Sequence, residues 1–195
     1  MPLRLDPETL LSAYCRGVFP MTDSDGHIRW YTADPRGIIP LDALRVPHTL
    51  AQFMRSTKFS FDVRINHDFP ATMHACMTAH GPSWISPALI KAYTRLHCLG
   101  FAHSVETYRD GKLVGGLYGV SIGGAFFGES MFHSERDASK VALVTLLNRL
   151  KERNYDLLDA QACTSHLSRF GCIEIPAPDY LKRLEKSLPK PCTFI

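Results

Sequence analysis

Apolar positions along the chain repeat at two spacings, and the changes from one to the other mark out its elements. DPETLLSAYCRG, residues 6–17, reads as a helix capped by Asp6, with Pro7 in its first turn and Gly17 at its end. WYTADPRGIIP is turn-rich and reads as a connection, so a soft domain boundary is placed there. VPHTLAQFMR is a short helix candidate. KFSFDVRIN alternates, which sets Phe59, Phe61, Val63 and Ile65 on one face of a strand. In HDFPATMHACM the residues Phe69, Met73, Cys76 and Met77 return at helical spacing. SPALIKAYTRLHCLG predicts a further helix, with Ser86 as cap, Pro87 in the first turn and Gly100 at the stop.

From residue 101 the period is mostly two. FAHSVETYRD and KLVGGLYGVS are strands joined by Asp110-Gly111, a strong hairpin signal. GAFFGESMF is a third strand, DASKVALVTLLNRLKERN an amphipathic helix with Asp137 as cap, and YDLLDAQA a short strand. TSHLSRFG is a helical turn closing at Gly171, CIEIP a strand, and DYLKRLEKSL a terminal helix. This order predicts an α+β fold, a mostly antiparallel sheet with one crossover. It matches the layout of the GNAT-like acyltransferase fold, an analogy that gives no function by itself.

Composition narrows the classes. The 195 residues suffice for one substantial core with a small appended lobe. The formal charge is only +3, so any nucleic-acid contact must come from a local cluster. The six cysteines form no CxxC pair and stand near no histidine at zinc-finger spacing, which reads as reduced thiols. The start, MPLRLDPETLL, lacks a cationic and then apolar signal sequence. The longest uncharged run, residues 113–128, is glycine-rich and falls short of the roughly 20 residues that span a bilayer. A cytoplasmic protein is expected, and with no interface stripe, a monomer.

Four constellations could carry chemistry. In LLDAQ, alternation sets Leu157, Asp159 and Gln161 on one face of a largely buried strand. They are either a structural polar pair, or a carboxylate orienting an amide that handles a substrate amine, or a direct proton acceptor. Glu129, in GGAFFGESMFH, is either a solvated strand residue or a carboxylate at the rim of an apolar pocket waiting for a cation. Gly123, Gly124 and Gly128 favour the second, since glycine in a strand often marks a bulge or a close approach by a ligand. Arg45, Arg55, Lys58 and Arg64 lie close together with only Asp62 among them, as a solvated face or a phosphate-neutralising patch. Tyr14, Trp30, Trp84 and Tyr93 are packing residues or stacking platforms for a base. There is no GxSxG elbow, no P-loop, no HExxH and no metal-ligand pattern among the nine histidines. Cys163 and His166, three apart, are weak support for a thiol nucleophile.

AYCRGVFPM, DPRGIIPLD, SWIS, AYTRLHCLGFAHSVE, LVGGLYGVSIGGAFFGESMF, ASKVAL and DAQACTSHLSRFG, in this order from about Asp6 to Tyr180, together resemble leucyl/phenylalanyl-tRNA–protein transferases. The resemblance implies transfer of leucine or phenylalanine, and less well methionine, from charged tRNA to the N-terminal arginine or lysine of a protein. The product is an N-degron read by the bacterial Clp proteolytic system. It implies a small N-terminal domain, here 1–36, and a GNAT-like catalytic domain, 37–195, with no metal and no coenzyme A. Asp159 and Gln161 match the family's catalytic Asp-x-Gln, and Glu129 the acidic residue thought to bind the reacting amine or its basic side chain. Leu117, Phe126, Met131 and Leu146 fall on the pocket for the transferred side chain. Tyr14, Trp84, Tyr93 and His166 fall where the 3′-terminal adenosine and its ester are held. Arg45, Arg55 and Lys58 fall in the tRNA-binding basic cluster.

Met21 stands where many members have tryptophan, His48 and Ser56 where arginines are associated, and Leu146 where a phenylalanine can occur. Simple alternation separates Phe126 from Glu129 and Met131, so all three share a site only if the strand is bulged, with Gly128 the candidate position. Two other classes remain. A coenzyme-A-dependent GNAT N-acetyltransferase needs a glycine-rich pyrophosphate loop, where FHSERDASK has two acids and no glycine. A non-catalytic RNA-binding module would use the basic cluster but leave the Asp159/Gln161 face unexplained.

Overall fold

The computed structural model describes residues 5–43, 45–56, 60–79, 81 and 83–195. Helix α1 (Pro7–Tyr14) starts where Asp6 accepts the Thr9 N–H, and it leads into a two-stranded antiparallel sheet of β1 (Phe19–Thr22) and β2 (Ile28–Tyr31). The chain then enters the main sheet as β3 (Arg36–Ile39), passes a 3₁₀ turn at Leu41–Ala43, and forms α2 (His48–Arg55), β4 (Asp62–Ile65), α3 (Phe69–Thr78) and α4 (Pro87–Cys98). A meander follows: β5 (Ala102–Arg109), β6 (Lys112–Ile122) and β7 (Ala125–His133). Helix α5 (Ala138–Glu152) crosses over to β8 (Leu157–Gln161), and α6 (Ser165–Ser168), β9 (Ile173–Ile175) and α7 (Ala177–Ser187) complete the chain.

The seven-stranded sheet has the order β4-β5-β6-β7-β8-β3-β9. All neighbours are antiparallel except β7 and β8, which α5 joins in parallel. This is the expected α+β, GNAT-like layout. Asp110 and Gly111 both take positive φ, 49° and 75°, as the predicted tight hairpin requires. One sheet face packs on α1, α3, α4 and α7 through residues such as Tyr14, Phe69, Tyr93, Phe127 and Tyr180. The other packs on α5 and α2 through Phe126, Leu146, Leu158 and their neighbours.

Three local expectations change. Ser86 stands at the start of α4 but makes no side-chain cap, because its hydroxyl accepts from Thr22 on β1. Asp137 adopts a left-handed backbone and gives its carboxylate to Lys140 rather than to the helix N–H groups. The stretch read as a connection contains the end of β2 and the whole of β3, whose four residues are all buried. Phe59 lies outside the described residues.

Candidate functional site

Strands β7 and β8 pair only from Ala125–Leu157 to Phe127–Asp159. Beyond that point they separate, and a cavity of about 100 Å³ occupies the gap. Gly128–Met131 line one side and Leu158–Gln161 the other. The gap is widened by a defect in β7. Tyr118 pairs with Ser130 and Gly119 with Gly128, so Glu129 is the extra residue of a β-bulge. The bulge reverses the alternation, and Phe126 and Met131 consequently belong to the same packing layer. Its position is Glu129, one residue after the glycine expected to carry it.

Glu129 is half-buried at the mouth of this gap. Its Oε1 accepts from Tyr14 Oη at 2.7 Å and from Gln161 Nε2 at 3.3 Å, and its Oε2 accepts from Tyr93 Oη at 3.3 Å. The Tyr14 and Tyr93 hydroxyl oxygens also lie in contact with each other, so either hydroxyl can turn its proton to the other instead of to Glu129. Among the described residues no lysine or arginine forms an ion pair with Glu129. Burial pushes its carboxyl up to about 7; the Asp159 charge adds to that rise, while the tyrosine hydrogen bonds and the Arg36 charge oppose it. Burial and the nearby Glu129 charge hold both tyrosine hydroxyls well above their usual range, so they remain neutral donors.

Asp159 faces a different environment. It is 0% exposed and forms an ion pair with Arg36, which is 1% exposed and enters from β3. Tyr180 Oη of α7 donates to the same carboxylate at 2.7 Å, and so does the backbone N–H of Gln161 at 2.9 Å. Gln161 has φ 54°, a left-handed conformation uncommon for a residue with a side chain. The β3–β8 register also slips at this point, with Gly37 opposite Gln161 and Ile38 opposite Asp159. Alternation alone would have placed the two side chains on one face. The bulged register instead turns the Gln161 amide towards Glu129 while the Asp159 carboxylate remains in the interior.

The structure gathers many of the expected residues and leaves others apart. Leu117, Met131 and Leu146 line the cavity, together with Leu143, Leu158 and Leu167. Phe126 is buried behind this wall, its ring 5.2 Å from that of Phe194. Tyr14 and Tyr93 have no exposed ring face, so they meet the site through their hydroxyls and cannot serve as stacking platforms. Trp84 is half-buried beside β1, where its carbonyl accepts from Thr22 N. His166 lines a second cavity, with Arg109, Arg136, Lys140 and Arg169, while the adjacent Leu167 reaches the first. Arg45 and Arg55 are exposed, and Lys58 lies outside the described residues. No cluster of three or more histidine, cysteine or acidic groups arranged for a metal occurs among the described residues. The sequence reading missed Arg36 and Tyr180. Arg36 was visible as a lone charge ahead of the apolar run GIIP, but nothing in the sequence indicated its partner 123 positions away.

The family model for leucyl/phenylalanyl-tRNA protein transferase matches residues 38–185, and the model for the N-terminal domain of that enzyme matches residues 4–34. The chain belongs to this family. It is 49% identical over 187 residues to the leucyl/phenylalanyl-tRNA–protein transferase of Rubrobacter xylanophilus, covering 95% of this chain and 96% of that one. It is 47% identical to the enzyme of the same name from Herpetosiphon aurantiacus over the whole of both chains. Among solved structures, L-PGS from Bacillus licheniformis superposes with a TM-score of 0.51 at 11% identity, over 94% of this chain and 70% of that one. That likeness concerns the fold alone.

Proposed function

We propose that this aminoacyltransferase moves leucine or phenylalanine, and methionine less well, from charged tRNA to the N-terminal arginine or lysine of a protein, creating a degradation signal. Support comes above all from one juxtaposition. The cavity between β7 and β8 has an apolar wall of Leu117, Met131 and Leu146, and at its rim Glu129 is a carboxylate that no lysine or arginine among the described residues pairs with. The apolar wall suits the donor side chain, and Glu129 suits the cationic acceptor.

The donor ester is already activated, and an α-amine with a reference pKa of about 7.7–8.0 is partly neutral near pH 7. The amine nitrogen attacks the ester carbonyl, the C–N bond forms, the bond to the ribose oxygen breaks, and the amine proton ends on that oxygen. Holding amine and ester in attack geometry supplies much of the rate. Gln161 has its amide NH2 on Glu129, which leaves its carbonyl oxygen to accept from the incoming amine. In this reading Trp84 and the hydroxyls of Tyr14 and Tyr93 border the 3′-adenosine ester, and His166 is assigned to the flanking nucleotide on the side of the second cavity. Arg45, Arg55 and Lys58 meet the tRNA backbone. The working form is a cytoplasmic monomer. The proposed division at residues 36 and 37 follows the two-stranded sheet and falls within β3, one residue into the transferase sheet.

The test is direct. The protein is mixed with leucyl-tRNA and a peptide beginning with arginine, and the peptide gains the mass of one leucine residue. No gain, together with acetyl transfer from acetyl-coenzyme A, would establish the acetyltransferase reading instead. Gln161→Ala is expected to lower turnover by at least tenfold with little change in thermal stability. A loss of folding without a specific loss of turnover would make that side chain structural.

A further inference from the structure

An ionised carboxylate offers about four acceptor positions, two on each oxygen. In Asp159 all four are occupied. Oδ1 accepts from Arg36 Nε at 2.9 Å and from the Gln161 backbone N–H at 2.9 Å. Oδ2 accepts from Arg36 Nη2 at 2.6 Å and from Tyr180 Oη at 2.7 Å. The guanidinium is itself fixed: Nη1 donates to the Gly17 carbonyl at 2.9 Å, and Cζ lies over the rings of Phe19 and Tyr180, 5.0 and 4.5 Å from their centroids. Burial alone would lower the Arg36 pKa, but the Asp159 carboxylate holds it above its usual value, so the guanidinium remains charged.

From this geometry we infer that Asp159 is a fixed anchor and not the proton acceptor of the transfer reaction, and that Arg36 and Tyr180 are positioning residues that act through it on Gln161. A carboxylate whose four positions are filled has none left for an amine proton. Its free contact with the reacting region is the bond to Gln161 N–H, which holds that residue in its left-handed conformation and aims the side-chain amide at Glu129. Arg36 joins the two ends of the arrangement. It grips the β8 carboxylate on one side, and on the other the Gly17 carbonyl that ends the helix carrying Tyr14, a second donor to Glu129. The guanidinium matches both carboxylate oxygens in one plane, which a lysine ammonium cannot do.

This inference rests on the transfer reading for its kinetic arm and not for its spectroscopic arm. Tyr180→Phe keeps the ring and removes one bond to Oδ2. The expected result is a fall in kcat of about tenfold, KM for both substrates within about twofold, and a displaced Gln161 backbone N–H signal in an otherwise native ¹⁵N NMR spectrum. The paired change Arg36→Gln with Asp159→Asn replaces the ion pair by a neutral amide pair. It is expected to recover at least tenfold in kcat over Asp159→Asn alone, since no carboxylate chemistry is needed at this position. A paired variant that folds, keeps the Gln161 signal in its native place and stays as slow as Asp159→Asn would overturn the inference. An unchanged kcat in Tyr180→Phe would do the same. If the wild type transfers no leucine, the functional reading fails separately. The Gln161 signal in Tyr180→Phe then decides alone: displacement supports the coupling, and an unmoved signal ends it.

Discussion

Glu129 carries two consequences at the scale of a single residue, and both follow from its raised pKa. Its carboxyl is pushed from an ordinary value near 4.5 to about 7, chiefly by burial. The folded state therefore holds a proton that the unfolded chain has released between those values. Stability attributable to this group is complete below pH 4.5 and is lost as pH rises through 7. The shift corresponds to at most roughly 3 kcal/mol, and to less because the carboxylate is partly open to water. Denaturant unfolding of the wild type and of Glu129→Gln between pH 5 and 8 should show the wild type losing stability relative to the variant as pH rises. Parallel curves would mean that the carboxyl titrates at its ordinary value. Binding runs in the opposite direction. A cationic acceptor selects the ionised form, so KM for an arginine-starting peptide should fall several-fold from pH 6 to pH 8, and that dependence should vanish in Glu129→Gln.

At the scale of elements, the site depends on two irregularities in a regular sheet, the bulge at Glu129 in β7 and the slipped register of β3 on β8. Gly37 makes the second possible. A Cβ at that position would lie 2.6 Å from the Ala162 carbonyl carbon and 2.7 Å from Cys163 N, backbone atoms that cannot move aside as a flexible side chain could. Gly37→Ala should therefore cost on the order of 1–3 kcal/mol by thermal unfolding and reduce transfer, because the β8 exit that holds Gln161 must shift. Wild-type activity in that variant would show that the close approach is not needed. Helix α5 sets the apolar wall from the other side. Leu146→Ala should destabilise the fold by about 2–5 kcal/mol. It should also move the ratio of phenylalanine to leucine transfer upward by several-fold, in line with the ~1–3 kcal/mol that one methylene contributes in such a pocket. An unaltered ratio would remove Leu146 from the donor pocket.

These elements also show which parts of the fold were legible in the chain. The meander, α5, β8 and the terminal helix could be read because each buries one side and repeats at a single period. Strands β1 and β2 were missed although Asp25-Gly26 stands between two short apolar runs, since each strand has only four residues and Pro20 interrupts the first. Strand β3 was missed because its all-buried RGII has no alternation, and its pairing comes from strands more than 100 positions later. The caps at Ser86 and Asp137 failed because a tertiary partner, Thr22, took the first side chain and Lys140, one turn on in the same helix, took the second. In the site, alternation correctly exposed a conflict at Glu129 but could not locate the bulge. A bulge is a relation between two strands, and a single strand's pattern does not contain it.

At the scale of the whole molecule, a formal charge of +3 is too small for a general attraction to RNA, so tRNA affinity must be concentrated on particular surfaces. Arg55 ends α2 and is exposed, and Arg45 is exposed with its backbone N–H on the Phe170 carbonyl. Phe170 lines the second cavity together with Pro47, Thr49, Leu50 and Phe53 at α2, and with Arg136, Lys140 and Arg169. Within that cavity Lys140 and Arg136 are paired with Asp137, and Arg109 with Glu135. Much of its positive charge is therefore already neutralised, which leaves Arg45 and Arg55 as better placed contacts for phosphate. Each phosphate contact removed should flatten the plot of log affinity against log salt by about 0.7–0.9. Arg55→Ala and Arg45→Ala should each reduce that slope by this amount and weaken tRNA binding, while transfer from a short aminoacyl-adenosine donor keeps its rate. Arg136→Ala should leave the slope nearly unchanged. If Arg136→Ala flattens the slope and Arg55→Ala does not, the tRNA body crosses the second cavity, and the basic cluster read from the sequence is only a solvated face.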